Sequence, residues 1–479
     1  LDRIAIEEVG IPGIQLMSRA GRCAFDLLQS AWPEGCPLAI FCGTGNNGGD
    51  GFVVAALAAD RAIPVSVYQV GDAGKISGDA ATARQAALDA GVEITAFGAD
   101  VVLEDCVIVD ALLGTGLTGD VRGDYRDAIE VINAAGMPVL AIDIPSGLCS
   151  DSGRRLGAAV DADATITFIG QKRGLLTGDA PDCCGELHFA SLDVPADVYA
   201  QQPASAFRLS LEQEMDALPP LTETAHKGRF GHALVIGGDL GMAGAALMAA
   251  ESAGRCGAGL VSAATRAIHV PALLSRRPEV MAHGVEARGE LEPLMSRATA
   301  VAVGPGLGQN SWSEQMLQDA LDSELPLVVD ADALNLLARR CEDEPPQRGN
   351  WILTPHPGEA ARLLASDTTT VQADRFAAAS ALQSRYGGVV LLKGAGTLVC
   401  DGDAVYVCPY GNPGMASGGM GDVLSGILVA LLAQGMSLRD AACLGACLHA
   451  VAADLAAEEG MRGLLATDLM PYLRGLMDE

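Results

Sequence analysis

The chain has 479 residues, of which 49% are hydrophobic, and this length predicts two or more domains. Its formal net charge of −29, from 60 acidic and 31 basic residues, argues against nucleic acid or an anionic membrane as the main partner. The 13 cysteines have no metal-ligand spacing, which favours reduced thiols in a cytoplasmic protein. No segment has the pattern of a signal peptide or a transmembrane helix.

Short apolar runs alternate with helical patterns in the first part of the chain. Segments such as "FVVAALAADR" and "YRDAIEVINAAG" have the period of helices. The runs that predict buried strands are 38–42, 65–70, 106–113, 139–144 and 164–169. Strands that alternate with helices predict right-handed βαβ units in a doubly wound α/β sheet.

The alternation is interrupted near 195–225, where Pro, Gln and Ser occur without a sustained period. We place a domain boundary there, which gives domains 1–207 and 208–479. A strand, turn and helix begin again at 232–238, and a last long helical region starts near Gly421. The two parts place their glycine-rich motifs at different points, so we expect two different α/β folds.

The stretch "FCGTGNNGGDG", Phe41 to Gly51, joins a predicted strand to a predicted helix. Glycines permit close backbone approach, and free N–H groups at a helix N-terminus favour an anion. The fingerprint GxGxxG fits Gly43, Gly45 and Gly48 but is weak alone, and the lysine of a P-loop is absent. A phosphate cradle, a metal site and a plain turn all remain open.

Two more predicted strand ends carry polar groups. Asp110 closes one strand, and Asp143 closes the next, with Ser146 three residues on. The carboxyl ends of parallel strands share one edge, so these groups and the asparagines of the first motif form one predicted cluster. Such oxygen ligands suit a hard cation, although loop capping explains Asp110 or Asp143 alone as well.

The motifs "NNGGDG", "DALLGTGLTG" and "DIPSG" resemble those of the YjeF N-terminal family, the NAD(P)HX epimerases, over about residues 4–205. The resemblance implies a Rossmann-like fold and interconversion of the R and S epimers of hydrated NADH or NADPH. It implies that Asp143 is the catalytic acid/base and that Asn47, Asp110 and Ser146 hold K⁺. The substrate contacts that it implies are Asn46, Asn47, Gly48, Gly49, Asp50, Gly114, Thr115, Gly116, Leu117, Thr118, Gly119, Asp120 and Asp143.

The second half has four motifs: "GPGLG" (304–308), "TPHPGE" (354–359), "KGAGT" (393–397) and "GNPGMASGGMGD" (411–422). The last runs into a predicted helix with Asp422 just inside it. N–H donors beside a carboxylate provide an anion hole and a general base, which phosphoryl transfer to a hydroxyl requires.

Other polar residues in this half each allow a functional and a structural interpretation. His356 lies between prolines after a strand, and Lys393 closes another, so each is either a ligand contact or an ordinary strand-end residue. Asp330 and Asp332 follow a third strand, and each is either a metal ligand or a helix cap.

These motifs resemble the ribokinase-like superfamily and, more narrowly, the NAD(P)HX dehydratases, over about residues 208–479. The resemblance implies a ribokinase-like α/β sandwich and dehydration of the S epimer at the expense of ADP or ATP with Mg²⁺, with Asp422 as catalytic base. Ala243, Gly306, His356 and Asp422 would contact the hydrated nucleotide. The implied contacts to ADP or ATP are Lys393, Gly394, Ala395, Gly396, Thr397 and Gly421.

Together the halves resemble a fused epimerase and dehydratase that repair hydrated NAD(P)H, and we expect a homo-oligomer without nucleic-acid or membrane partners. Two alternatives remain. The second half could phosphorylate a small alcohol and release the phosphoester, since both chemistries begin with phosphoryl transfer. The first half could be a non-catalytic binding module.

Overall fold

Two structural units divide the chain, and each has its own sheet. The computed structural model describes residues 1–33, 35–340 and 345–478. The first unit is Leu1–Ala204 and the second begins at Ser205. The division at 204/205 lies three residues before the boundary predicted at 207/208.

The sheet of the first unit is parallel throughout. Its strands are β1 (Leu38–Cys42), β2 (Val65–Gln69), β3 (Ile94–Ala96), β4 (Val107–Ala111), β5 (Val139–Ile142), β6 (Ala164–Phe168) and β7 (Glu186–Ala190). Across the described residues their order is β3-β2-β1-β4-β5-β6-β7, and every neighbouring pair is parallel. The order reverses at β1, which pairs with both β2 and β4. Ligands bind beside the carboxyl ends of strands at such a switch point.

Both faces of this sheet are covered. The α-helices of the unit are α1 (Asp2–Glu7), α2 (Gly13–Ala31), α3 (Asn46–Asp60), α4 (Gly78–Asp89), α5 (Asp124–Ala134) and α6 (Ala196–Gln201). Ile40 of β1 belongs to the core that contains α2, α3 and α4, whereas Phe41 belongs to the core beneath α5. Alternate side chains thus enter different cores, which is why the central strands are apolar at nearly every position.

The second unit has a longer, mixed sheet. Its strands are β8 (Phe207–Arg208), β9 (His232–Ile236), β10 (Leu260–Thr265), β11 (Met281–Gly284), β12 (Ala300–Val303), β13 (Leu327–Val329), β14 (Trp351–Leu353), β15 (Val389–Leu392), β16 (Thr397–Cys400) and β17 (Val405–Cys408). The order in the described part of the chain is β11-β10-β9-β12-β13-β14-β15-β16-β17-β8. The strands from β11 to β15 are parallel to their neighbours, and β16 pairs antiparallel with both β15 and β17. The carboxyl ends of the parallel strands therefore lie at one edge.

Helices cover this sheet too. They are α7 (Leu211–Met215), α8 (Ala243–Arg255), α9 (Val270–Arg276), α10 (Glu292–Met295), α11 (Ser311–Leu321), α12 (Ala331–Arg340), α13 (Pro357–Leu363), α14 (Thr368–Ala373), α15 (Arg375–Tyr386), α16 (Met420–Ala433), α17 (Leu438–Ala457) and α18 (Met470–Leu476). The last long helical region is two helices, α16 and α17, separated at Gly435, whose φ of 90° interrupts a helix. Among the described residues, α17 is long and apolar enough to cross a membrane, but 72% of its most apolar window is buried inside the protein.

The predicted doubly wound α/β architecture with two different sheets is confirmed. Each of the five strands predicted in the first half is present, within two residues at either end. Two strands of that sheet, β3 and β7, were not predicted. Most positions of both are only partly buried or exposed, so the sequence carries no apolar run there.

Candidate functional site

The first glycine motif, Phe41 to Gly51, contains the end of β1, a short loop and the start of a helix. Helix α3 begins at Asn46, within the motif rather than after it. A Cβ atom added to Gly48 would lie 2.2 Å from the carbonyl oxygen of Gly43, and one added to Gly49 would lie 2.6 Å from the Met17 sulfur. Both glycines are therefore explained by close packing of α3 against the end of β1 and against α2.

A cavity of about 710 Å³ opens beside these elements at the carboxyl edge of the sheet. Some predicted contact residues line it, and others do not. Those in its wall are Asn46, Asn47, Asp50, Gly114, Thr115, Gly116, Leu117, Thr118 and Asp143. Those outside its wall are Gly48 and Gly49, which are buried in packing, and Gly119 and Asp120, which are solvent-exposed.

Asp143 lies in this cavity in an uncommon backbone conformation. Its φ of 67° is left-handed, a region that Asp and Asn tolerate better than most residues. Its carboxylate forms an ion pair with the ammonium group of Lys172 and accepts a 3.2 Å hydrogen bond from the Phe168 backbone N–H. Lys172 also donates to Thr167 Oγ1 and to the Phe168 carbonyl oxygen, both at 3.0 Å, so the pair is held rigidly.

A second carboxyl group, that of Asp50, lines the same cavity. Burial raises the pKa of Asp50 well above its usual range, and the negative charge of Asp143 raises it further. The cavity therefore combines a carboxylate paired with Lys172 and a second carboxyl group whose pKa is raised. Such a pair can accept a proton at one point and donate one at another.

The predicted cation ligands are buried at this cavity, where Asn47 lines the wall and Asp110 and Ser146 lie outside the lining. Asp110 accepts hydrogen bonds from the Ser146 hydroxyl (2.6 Å) and the Ser146 backbone N–H (2.7 Å). Asn47 donates from Nδ2 to the Leu113 carbonyl oxygen at 3.0 Å, but its Oδ1 is buried without a partner among the described residues. Burial raises the pKa of Asp110 to about 6, even though Ser146 and Leu112 donate to it. An unsatisfied amide oxygen and a buried acid are an environment that a cation would satisfy.

Other residues that line this cavity were not predicted from the sequence as site residues. Lys172 and Tyr125 line the wall, as do Thr44 and Asp79. Thr44 Oγ1 lies 3.3 Å from the Tyr125 hydroxyl, which comes from α5. The side chains meet only because the strand order places these distant segments at one edge.

The second unit gathers its motifs at the carboxyl ends of its parallel strands. Asp330 follows β13 and is 1% exposed. It accepts from Lys393 Nζ at 2.7 Å and from the Ser425 hydroxyl, on α16, at 2.8 Å. Burial alone would raise the pKa of Asp330, but the charge and hydrogen bond of Lys393, with the bond from Ser425, hold it below its usual value.

Asp422 lies in the first turn of α16, beside this pair. Burial raises its pKa to about 7, and the charge of Asp330 adds to the effect, while Lys393 opposes it. The preceding residue, Gly421, is close to the pair as well, because an added Cβ would lie 3.3 Å from Lys393 Nζ. A carboxyl group at a helix N-terminus with a pKa near neutrality has the properties of a general base.

His356 and Glu359 form a reciprocal cap at the start of α13. Glu359 accepts from the His356 backbone N–H at 2.8 Å, and His356 Nδ1 accepts from the Gly358 N–H at 3.0 Å. Burial raises the pKa of Glu359 to about 7, and burial followed by the charge of Lys393 lowers that of His356. The ring of His356, which is exposed, is held in place by this capping hydrogen bond.

The segment 393–397 is the turn between the antiparallel strands β15 and β16. Gly394 and Gly396 have φ values of 142° and 62°, which favour glycine. The buried guanidinium of Arg375 donates to the carbonyl oxygens of Lys393 and Gly396, each at 3.4 Å. Arg375 was not predicted from the sequence, yet it supports the turn from inside.

Ala243 and Gly306 lie at the same edge. Ala243 begins α8, after β9, and Gly306 follows β12 with a φ of 55°. A Cβ added to Gly306 would lie 2.7 Å from the Met242 carbonyl oxygen, so the two loops are in contact. Asp332 accepts from the Gly308 N–H at 2.9 Å and from the Gln309 amide, which supports its reading as a loop cap.

Comparison with known families matches both units. Residues 233–474 match the family model described as NAD(P)H-hydrate dehydratase, and residues 13–174 match that described as YjeF-related protein N-terminus. The chain is 50% identical over 480 residues to the bifunctional NAD(P)H-hydrate repair enzyme Nnr of Coxiella burnetii, which covers 100% of this chain and 97% of the relative. It is 46% identical over 481 residues to the bifunctional NAD(P)H-hydrate repair enzyme Nnr of Escherichia coli, and the alignment covers 100% of this chain and 92% of the relative.

A solved structure supports the assignment of the second unit. The ADP/ATP-dependent NAD(P)H-hydrate dehydratase from Bacillus subtilis, co-crystallised with ATP and Mg²⁺, is 28% identical with a TM-score of 0.52, covering 58% of this chain and 99% of its own. With two family models in order and relatives similar over the full length, the chain belongs to the family of bifunctional NAD(P)H-hydrate repair enzymes.

Proposed function

We propose that the first unit equilibrates the R and S epimers of hydrated NADH or NADPH and that the second dehydrates the S epimer at the expense of ADP or ATP. The observation that carries the proposal is the pairing of two acid/base sites in one chain of this family. Asp143 and Asp422 each lie at the carboxyl edge of a separate sheet, among loops suited to a nucleotide. A dehydratase that accepts one epimer benefits from a neighbour that interconverts both.

In the first unit, Asp143 acts as the catalytic acid/base. Opening of the hydrated ring at C6 removes a proton from the C6 hydroxyl and delivers one to the ring nitrogen as the C–N bond breaks. Closure on the opposite face reverses both transfers and inverts C6. The ion pair with Lys172 holds the Asp143 carboxylate at a fixed position, which efficient proton transfer requires.

The cation predicted for this unit is K⁺, with Asn47, Asp110 and Ser146 as ligands. The unpartnered Oδ1 of Asn47 and the buried Asp110 carboxyl support this assignment. A bound cation would offset substrate charge in a chain of net charge −29. Replacing K⁺ by choline should lower the affinity for the hydrated nucleotide, and Asn47→Leu should remove the difference between the two salts.

Contacts with the substrate in this unit come from the first motif and from the loop after β4. The backbone N–H groups at the start of α3 and the glycines of the loop suit the phosphates. The proposed contacts are Asn46–Asp50, Gly114–Asp120 and Asp143. Of these, Gly48, Gly49, Gly119 and Asp120 contribute indirectly, by shaping the backbone outside the cavity wall.

In the second unit, Asp422 accepts the proton of the C6 hydroxyl as the terminal phosphoryl group of ADP or ATP is transferred to that oxygen. The N–H groups at the start of α16 stabilise the transferred group. Phosphate then leaves C6 while C5 loses a proton, which restores the reduced nicotinamide ring. Lys393 contributes positive charge beside the site, shared with Asp330.

The remaining contacts are assigned by position. Ala243, Gly306 and His356 would bind the hydrated nucleotide together with Asp422. Lys393–Thr397 and Gly421 would bind ADP or ATP, whose charge Mg²⁺ would offset. Asp330 accepts from Lys393 and Ser425, and Asp332 accepts from Gly308, so both carboxylates already have roles in positioning the loops.

The test is to incubate the protein with a mixture of hydrated NADH epimers and ADP. We expect the absorbance of reduced nicotinamide to return for both epimers, with release of phosphate. Recovery without any nucleotide dependence, or release of a stable phosphoester without recovery, would contradict the proposal and favour a small-alcohol kinase.

A variant tests the first unit separately. Asp143→Asn should slow the equilibration of R and S epimers by about 10²–10⁴-fold and leave dehydration of pure S epimer unchanged. Asp161→Asn, at an exposed aspartate of the same unit, is the matched control. An unchanged equilibration rate in Asp143→Asn would identify the unit as a binding module.

A further inference from the structure

A second cavity, of about 360 Å³, lies within the second unit and is lined by four arginines. They are Arg255, Arg276, Arg277 and Arg474, and Glu251 is the only acidic residue in the described lining. The cavity is therefore strongly positive, although the chain as a whole carries a net charge of −29. Such a local reversal of sign concentrates anions at one place on an acidic protein.

The single carboxylate neutralises only part of this charge. Glu251 is buried and forms ion pairs with Arg277 and, at 3.9 Å, with Arg255. Arg276 and Arg474 form no ion pair with any residue in the described part of the chain, and both are exposed. Two guanidinium groups are thus left to meet a ligand that enters the cavity.

One polar atom inside the cluster is also unsatisfied. Arg277 Nε is buried and has no hydrogen-bond partner among the described residues. Burying a guanidinium N–H without a partner is costly, so the Arg277 guanidinium has hydrogen-bonding capacity that the described residues do not use. The ion pair with Glu251 holds the Arg277 side chain, which is 29% exposed, beside the cavity.

Helix ends explain part of the arrangement. Arg255, Arg276 and Arg474 are in the last turns of α8, α9 and α18, where the helix dipole favours positive charge. The dipole does not require three helices to end around one cavity, nor does it account for the unpartnered Arg277 Nε. These two observations point to a ligand.

We propose that this arginine cavity binds a small anion bearing one or two phosphate groups. Guanidinium groups match phosphate oxygens in pairs, and the volume is near the lower end of the range of about 300–1,000 Å³ for small-molecule sites. It is about half that of the first unit's cavity, which suits phosphate, diphosphate or a small phosphomonoester rather than a dinucleotide. Thr467, a residue with a neutral hydroxyl group, also lines the cavity.

The cavity is connected to the active edge by the fold. Arg255 ends the helix that Ala243 begins, and Thr467 follows Ala466, which packs beside Gly419 at the start of α16. A ligand between α8 and the segment before α18 therefore contacts two elements that pack against Gly419, three residues before Asp422.

The experiment titrates inorganic diphosphate into the full-length protein at low ionic strength, by calorimetry, without nucleotide. We expect binding near one equivalent that weakens as salt is added. The double variant Arg276→Ala/Arg474→Ala should bind at least about tenfold more weakly with unchanged circular dichroism. The control Arg288→Ala/Arg439→Ala removes the same charge from the same unit outside the cavity and should bind like the parent.

Three results would overturn the proposal. They are the absence of binding to the parent protein, equal weakening in both double variants, and undiminished binding in Arg276→Ala/Arg474→Ala, which would place diphosphate at the Asp422 site. Sedimentation of the same variants tests the alternative that this face joins two copies of the chain, since only then would the cavity variant change the oligomeric state. Because no hydrated nucleotide is used, failure here is distinct from failure of the proposed repair activity.

Discussion

Replacing Lys393 by methionine removes the partner of a buried carboxylate and allows a quantitative prediction. Asp330 is 1% exposed and accepts from Lys393 Nζ at 2.7 Å, with Ser425 as a second donor at 2.8 Å. At an effective dielectric constant of about 20, charges at this distance attract by about 6 kcal/mol. Loss of one partner from a buried ion pair typically costs about 3–5 kcal/mol.

In Lys393→Met, protonation of Asp330 limits the loss of stability and makes that loss depend on pH. Keeping the carboxyl neutral in the folded state costs about 1.4 kcal/mol per pH unit above its ordinary pKa of 3.8. The penalty of a neutral Asp330 in the variant is therefore about 4.4 kcal/mol at pH 7 and about 1.6 kcal/mol at pH 5. In the parent protein the pKa of Asp330 is lowered, so its stabilisation is complete above pH 3.8 and is lost only as pH falls further. The difference in the free energy of unfolding between Lys393→Met and the parent should therefore become smaller as pH falls from 7 to 5.

Urea unfolding at both pH values, followed by tryptophan fluorescence and circular dichroism, measures the two free energies of unfolding. Lys393→Met/Asp330→Asn should recover part of the stability at pH 7 and reduce the pH dependence, because Asp330 is gone while the buried Glu359, 3.9 Å from Lys393 Nζ in the parent, remains. Lys227→Met, at an exposed lysine of the same unit, should change stability by less than about 0.5 kcal/mol. A cost at pH 7 below about 1 kcal/mol, or one that does not fall at pH 5, would refute the reasoning.

Three further predictions concern chemistry and packing. The rate of dehydration should rise as pH increases through about 7, because the pKa of Asp422 is raised to about 7 and the base must be ionised. A pH profile in which this rate falls over that range would contradict the prediction. Asp422→Asn should lower dehydration by about 10²–10⁴-fold but leave epimerisation intact, measured separately on each epimer. Gly48→Ala should destabilise the first unit by about 1–3 kcal/mol in thermal unfolding, since its Cβ would overlap the Gly43 carbonyl oxygen. Gly45→Ala, with nothing within 4 Å, is the control, and equal effects would show that the close approach is not limiting.

The sequence predicted the strand ends well because a buried parallel strand is a continuous apolar run with a sharp limit. Asp110 lies near the end of such a run, as the fourth residue of β4, and is buried there. Lys172 gave no such signal. It follows β6 by four residues in a segment without a repeating pattern, and only the folded loop brings it to Asp143.

The glycines were harder to interpret, because the same residue serves ligands and packing alike. The resemblance implies that Gly48 and Gly49 contact the substrate, and packing requires them as well, because their neighbours are the Gly43 carbonyl and the Met17 side chain. Arg375 illustrates the converse difficulty. A charged residue at the start of a helix reads as solvent-exposed, yet its guanidinium is buried beneath the 393–397 turn.

The left-handed backbone at Asp143 has a consequence for how this chain can lose its first activity during evolution. At a φ of 67°, glycine and asparagine are accommodated as readily as aspartate, and each is one nucleotide change from an aspartate codon. The backbone conformation therefore does not retain the acid at this position, which leaves the ion pair with Lys172 and the proton transfer as its roles. Among relatives that keep the fold, the identity of this one residue should separate lineages that still need epimerisation from those that have abandoned it.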